Sequence, residues 1–208
     1  MVDRLGILGA GRLGTAVARL AVDAGRQVLI ADERTGPMIE LVVSTVASGA
    51  RLVSRDEMLG SSDIVLLAIP YSRLTDLDLA SFDGAIVIDA TNPWLESDGA
   101  NPPESPLKGQ PGLRVVRSMN HLAYEDLGAC AEPAGAPFRT AMAVASDDVA
   151  ARKAVALLVD ELGFDPVELD GRSAWLLDTN GPFFGRRLSQ VEMNAIVSAS
   201  RRADRLTW

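Results

Sequence analysis

Between Leu5 and Arg34 the chain reads LGILGAGRLGTAVARLAVDAGRQVLIADER. A short apolar strand runs into three glycines. Apolar residues then recur at helical spacing (Leu13, Val17, Leu20, Ala21), Gly25 closes the helix, and a second apolar strand ends in Asp32. Strand, tight turn, helix and strand in so short a span dictate parallel strands bridged by a crossover helix. The turn, Gly9-Ala10-Gly11-Arg12-Leu13-Gly14, has the G-x-G-x-x-G spacing of a dinucleotide site. Gly9 permits the turn, Gly11 has no side chain to hinder a pyrophosphate, and Gly14 lets the helix sit tightly on the strands. The first amides of the helix then face the phosphates.

Asp32 lies eighteen residues past Gly14, at the end of the second strand. A carboxylate there accepts hydrogen bonds from both ribose hydroxyls of NAD and repels a 2′-phosphate, so Asp32 favours NAD(H). Glu33 adjoins it, and Arg34 is placed to meet a 2′-phosphate or stack on adenine, which leaves NADP(H) open. The candidate cofactor site therefore comprises Gly9 to Gly14, Asp32, Glu33 and Arg34.

The rest of the chain repeats the alternation of strand and helix. Helix is expected over 37–47, over 147–163 and in the tail from 183 to 206, and a short helix or turn over 56–59. Strand is expected over 51–53, 63–69, 85–89, 113–116, 140–146 and 164–169. The fold class that follows is α/β: a Rossmann-type, doubly wound, mostly parallel sheet with a small C-terminal α/β appendage. The expected boundary puts a dinucleotide-binding domain at 1–135 and the extension packed on it at 136–208, or one continuous domain. Residues 96–112, rich in proline and glycine, read as a surface loop that is mobile or covers a site.

In such a sheet ligands bind beyond the carboxyl ends of the strands. Three post-strand segments converge there: Ile69-Pro70-Tyr71-Ser72, Asp89-Ala90-Thr91-Asn92-Pro93-Trp94, and Arg117-Ser118-Met119-Asn120-His121. His121, the sole histidine, reads as a substrate contact or proton donor, or as a hydrogen-bonded structural residue. Asn92 and Asn120 suit a carboxamide or carbonyl oxygen, although Asn92 before Pro93 also suits a turn. Trp94 and Trp175 suit stacking on a flat cofactor or core packing, Tyr71 a rim, and Cys130 a small apolar filler.

Composition narrows the classes further. A net charge of -8 disfavours nucleic acid and anionic membranes as partners. One cysteine excludes an intramolecular disulfide, and no metal site is expected. No run approaches the ~20 apolar residues of a membrane helix, and the opening residues lack a basic-then-apolar leader. A cytoplasmic protein is expected. The apolar positions Leu188, Val191, Ile196 and Val197 are expected to pack on the sheet or on a second copy.

GILGAGRLGTAVARLAVDAG, AIVIDATNPW, VVRSMNHLAYEDL and VDELGFDPVELDG occur in this order. In them the chain resembles the F420-dependent NADP oxidoreductases, also called NADPH-dependent F420 reductases, from Leu5 to about Gly185. The resemblance implies a Rossmann domain with a small C-terminal appendage, a homodimer, and hydride transfer between NADP(H) and a deazaflavin, coenzyme F420. Related members reduce flavin instead. It implies that Gly9, Gly11, Gly14, Asp32, Arg34, Ile69 and Pro70 hold the dinucleotide. Asn92, Asn120 and His121 would border the acceptor. The chain departs from the family at Asp32-Glu33, where NADP-binding members carry Ser-Arg. It departs again in ELDGRSAWLLDTNGPFFG, with Trp175 in place of an arginine and Asp178 in place of a glutamate. Two other functions remain open on the residues: reduction of a small carbonyl or imine with His121 as proton donor, and a non-catalytic NAD(H)-sensing module.

Overall fold

The computed structural model describes residues 4–93 and 105–206. Its frame is one eight-stranded sheet. In chain order the strands are β1 (Arg4–Leu8), β2 (Gln27–Ala31), β3 (Arg51–Leu52), β4 (Ile64–Leu67), β5 (Ile86–Asp89), β6 (Arg114–Ser118), β7 (Ala141–Ala145) and β8 (Asp165–Leu169). The spatial order is β3-β2-β1-β4-β5-β6-β7-β8. The first six strands are mutually parallel in the Rossmann order, and β7 joins β6 antiparallel with β8 parallel to β7. The doubly wound fold expected from the glycine turn is thus present. The C-terminal strands extend the same sheet.

Side chains alternate between two faces, as the pleat requires. Leu5, Ile7, Ile64, Leu66, Ile86 and Ile88 face one core. That core is covered by α1 (Arg12–Asp23), α2 (Pro37–Val46), α4 (Tyr124–Cys130) and α5 (Val149–Glu161). Leu8, Leu29, Val65, Leu67 and Val87 face the other, beneath Met58 of α3 (Arg55–Ser61), Leu74, Phe82 and Leu107. Each such fully buried aliphatic side chain contributes about 1.5–3 kcal/mol.

Between β4 and β5 run two short 3-10 turns, Tyr71–Asp76 and Leu79–Phe82. Pro70 keeps Ile69 out of helical geometry, and Asp78 caps the second turn through the Ala80 amide. The expected strand at 63–69 stops at Leu67, so Ile69 and Pro70 lie in the loop beyond the sheet.

On β7 the face opposite α5 carries only alanines: Ala141, Ala143 and Ala145. Their small size admits Leu176, Leu177 and Phe183, together with Leu188, Met193 and Val197 from around α6 (Gln190–Leu206). The apolar tail therefore covers its own sheet. Val191 stays exposed. Cys130 is a buried free thiol in the core.

Candidate active site

The site begins at the switch point between β1 and β4, where the chain leaves the sheet in opposite directions. Gly9 takes φ +109°, and a Cβ there would sit 2.4 Å from the Ala68 carbonyl oxygen. A Cβ on Gly14 would fall 1.9 Å from the Gly9 carbonyl oxygen. These two glycines are explained by the fold alone. Gly11 is not: a Cβ there would meet nothing within 4 Å. Gly11 also begins α1 without a capping side chain, and the first intrahelical bond runs from the Thr15 amide to the Gly11 carbonyl. The amides of Arg12, Leu13 and Gly14 precede that bond and are left for a ligand. An open, uncapped helix start beside a side-chain-free position fits a pyrophosphate.

Asp32 follows β2 and closes this loop. Its Oδ2 accepts from the Ala10 amide at 2.6 Å and from Arg34 Nη2 at 2.8 Å. Its Oδ1 accepts from the Arg34 amide at 2.9 Å and from Arg34 Nε at 2.8 Å. Burial raises the Asp32 pKa, but the Arg34 guanidinium and the two amides outweigh it and hold the carboxyl below its ordinary value. Glu33 is exposed and pairs with Arg73 at 2.6 Å.

Two cavities share the wall Ala68, Ile69, Pro70 and Ser72. The smaller, about 520 Å³, holds Gly9, Gly11, Asp32, Glu33 and Arg34, together with Arg55 and Arg73. The larger, about 940 Å³, is mostly apolar and is bordered by Leu13, Asn92, Asn120, His121, Tyr124 and Phe184. No Lys or Arg is among its described lining residues, and Glu125 is its one carboxylate. The structure thus brings the three post-strand segments together around one pocket, with the glycine loop and Asp32 at its neighbour. Tyr71, expected at a rim, lines the larger cavity, as does Pro106. Trp175 is 49% exposed and borders neither cavity. Trp94 and residues 96–104 of the expected loop lie outside the described residues.

The polar side chains of the larger pocket make hydrogen bonds within the protein, while two of their buried atoms, His121 Nδ1 and Asn120 Oδ1, have no hydrogen-bond partner. His121 is 1% exposed, and its Nε2 accepts from the Ala143 amide at 3.1 Å, which places the ring proton on Nδ1. Ser118 Oγ donates to the Ala143 carbonyl at 2.8 Å. Both backbone groups of Ala143 are therefore satisfied by side chains just where the β6–β7 ladder ends, at Ser118↔Val144. Met119, in the left-handed region at φ +62°, turns the chain there and presents Asn120 and His121. Burial lowers the His121 pKa to about 4. A ring neutral at pH 7 and bonded to a strand amide is poorly suited to the proton-donor role expected for it, and this geometry favours the structural alternative.

Asn92 and Asn120 are stitched to each other. Asn120 Nδ2 donates to Asn92 Oδ1 at 3.0 Å and to the Leu177 carbonyl at 2.8 Å, and Asn92 Nδ2 donates to the Asn120 carbonyl at 2.9 Å. Asn120 thus has no amide proton left for a substrate. Beneath them Arg117 donates to the Thr91 carbonyl at 2.5 Å and pairs with Asp89 and Asp178. Two side chains were missed by the sequence reading. Tyr124 Oη accepts from Arg12 Nη1 at 2.5 Å, linking α4 to the start of α1. Phe184 comes from the divergent C-terminal segment, which the Gly185 amide ties to the His121 carbonyl at 2.8 Å. The signal for Tyr124 was its place in NHLAYEDL, directly after the third segment. Nothing local marks Phe184.

Residues 4–93 match the family described as NADP oxidoreductase, coenzyme F420-dependent. Over that segment, less than half of the chain, the sequence is similar to this family of oxidoreductases. A glyoxylate reductase of Thermococcus onnurineus (strain NA1) is 35% identical over 71 residues, which are 34% of this chain and 20% of the relative; the chain spans only that fifth of it. Among solved structures, a hypothetical protein of Sinorhizobium meliloti superposes with TM-score 0.74 at 25% identity, over 91% of this chain and 96% of the other. A proposed F420-dependent NADP reductase of Arthrobacter sp. FB24 superposes with TM-score 0.63 at 22% identity, over 82% and 86% of the two chains. The latter likeness is one of fold.

Proposed function

We propose that the chain is an oxidoreductase that moves a hydride between a nicotinamide dinucleotide and a flat heterocyclic acceptor, a deazaflavin or flavin. The observation that carries this reading is the pair of adjoining cavities sharing Ala68, Ile69, Pro70 and Ser72. The smaller fits the adenosine half of the dinucleotide, with Gly11 and the first amides of α1 against the pyrophosphate. The larger fits the nicotinamide and a second planar group together. When bound, the dinucleotide supplies the hydride. The protein supplies orientation and the exclusion of water, which suffice for transfer between stacked rings.

The chemistry of the larger pocket favours this acceptor class over a small anionic acid, which needs a cationic anchor that the described lining lacks. Asn92, Asn120 and His121 act in this reading as positioning residues. They lock the ends of β5 and β6 to β7 and to the C-terminal segment, and so hold the pocket wall still. Leu13, Ile69 and Pro70 form its apolar floor.

Stopped-flow absorbance of the purified chain with NADH or NADPH, against coenzyme F420 and FMN in turn, tests the proposal. Rapid bleaching of either acceptor is the expected result. Binding of a dinucleotide with both acceptors inert would overturn the acceptor class and leave a small carbonyl or imine as the substrate to try.

A further inference from the structure

Charge is unevenly shared along the cleft. Arg34, Arg55 and Arg73 line the smaller cavity. Among the described lining residues of the larger cavity there is no Lys or Arg, and the one charged group is Glu125. Residues 94–104 contain no Lys or Arg either. Glu125 and Asp126 occupy the first turn of α4, so the positive end of that helix is already met by two carboxylates. Asp126 is bound by Arg187, whereas Glu125 is exposed and is in no ion pair among the described residues. Arg117, behind the pocket wall, is paired with Asp89 and Asp178. Arg12 is outside the lining: it donates to Tyr124 Oη at 2.5 Å, and its place at the start of α1 puts it beside the pyrophosphate of a bound dinucleotide. What the larger cavity does offer is neutral polarity, including the hydroxyls of Ser72 and Thr75 on the turn after Pro70.

We infer that the larger cavity takes its acceptor as an uncharged molecule, a flavin or deazaflavin ring on a polyol side chain without phosphate, and that Glu125 selects against anionic tails. This rests on the acceptor class proposed above and narrows it. A phosphate ester drawn into this pocket gives up water and finds no guanidinium or ammonium in its place. It also meets the negative field of Glu125, to which the net charge of -8 adds along the approach. A polyol has neither cost, because serine and threonine hydroxyls exchange hydrogen bonds with it as water does. The cleft thereby sorts its two substrates by charge, with the polyanionic dinucleotide at the arginine end and the neutral ring at the other. In the reaction the acceptor ring takes one hydride from the dinucleotide and one proton from water, and the dinucleotide leaves oxidised. A phosphate on the acceptor plays no part in that exchange.

Steady-state reduction by the full chain, with NADH or NADPH saturating, tests this on two matched pairs of acceptors. One pair is riboflavin and FMN; the other is the riboside of the coenzyme F420 chromophore and coenzyme F420 itself. Within each pair the ring is the same and only the anionic tail differs. The expected result is a kcat/KM at least about five-fold higher for the uncharged member of whichever pair is reduced. Glu125→Gln should narrow that ratio by about three-fold, the worth of one exposed charge. Added salt should narrow it in the wild type as well. Equal or faster reduction of the charged member, or a ratio that Glu125→Gln leaves unmoved, would overturn the inference while the acceptor class stands. If a dinucleotide binds and none of the four acceptors is reduced, the acceptor class falls and the inference with it. Should Glu125→Gln fail to fold, as seen by circular dichroism, the wild-type ratio and its salt dependence decide.

Discussion

At the scale of single residues the three fingerprint glycines separate by cause. Gly11→Ala places its Cβ in open space, so the variant should unfold within about 0.5 kcal/mol of the wild type yet lose dinucleotide affinity at least ten-fold. Gly14→Ala drives a Cβ into the Gly9 carbonyl and should destabilise the fold by about 2 kcal/mol or more. Urea unfolding paired with nucleotide titration distinguishes the two. His121 makes a second prediction. Its pKa falls from 6.5 to about 4 on folding, because burial disfavours the charged ring. Between those values the unfolded chain binds more protons, so acid favours unfolding. Stability held in full above pH 6.5 should drop by about 3 kcal/mol on approach to pH 4. Urea melts from pH 7.5 to 4.5 read this directly, and His121→Gln should flatten the profile. An equally steep profile in that variant would place the titrating group elsewhere.

Elements depend on caps and seams that combine several such residues. The start of α5 rests on Asp148, which accepts from the Ala151 amide at 2.9 Å and from Arg114 Nε at 2.8 Å. The Arg114 guanidinium and the helix amides lower its pKa to about 2, so its contribution is present above pH 3.8 and fades as pH falls toward 2, below the His121 window. Asp148→Ala should cost about 1–2 kcal/mol in chemical denaturation, and Asp148→Asn, which retains a cap, distinctly less. Helix α6 begins with a capping box: Ser189 Oγ accepts from the Glu192 amide, and Glu192 Oε2 accepts from the Ser189 amide. The β6–β7 seam has no such local code. It needs the hydroxyl of Ser118, the ring of His121 and the left-handed turn at Met119, all aimed at one residue of another strand.

The whole molecule converts these details into one cleft along the carboxyl ends of the parallel strands. Ligand binding to the folded chain alone stabilises it by mass action. A dinucleotide at a hundred times its dissociation constant should add about 2.7 kcal/mol, which for a chain of this size raises Tm by about 5–10 °C. Differential scanning fluorimetry with NADH and NADPH checks this, and Gly11→Ala, with its affinity lowered at least ten-fold, should show at most about half that shift at the same nucleotide concentration. A full shift in that variant would place the nucleotide somewhere other than the start of α1.

The sequence by itself carried what depends on local periodicity and on backbone conformation. The glycine turn, the alternation of buried strands with apolar-faced helices, and Asp32 after β2 are each legible over a few residues, because each follows from the geometry of one or two elements. Convergence of the segments after β4, β5 and β6 was legible too, since parallel strands send their carboxyl ends to one side. Side-chain engagement was not. That His121 caps a strand amide, that Asn92 and Asn120 bind each other, and that Arg34 fills the acceptor positions of Asp32 depend on atoms brought within 3 Å by packing. Phe184 reaches the pocket because small alanines on β7 let the C-terminal segment fold back over the sheet. A residue's chemical type is written in the chain, but the lone pairs and protons it still has free are decided only when its neighbours arrive.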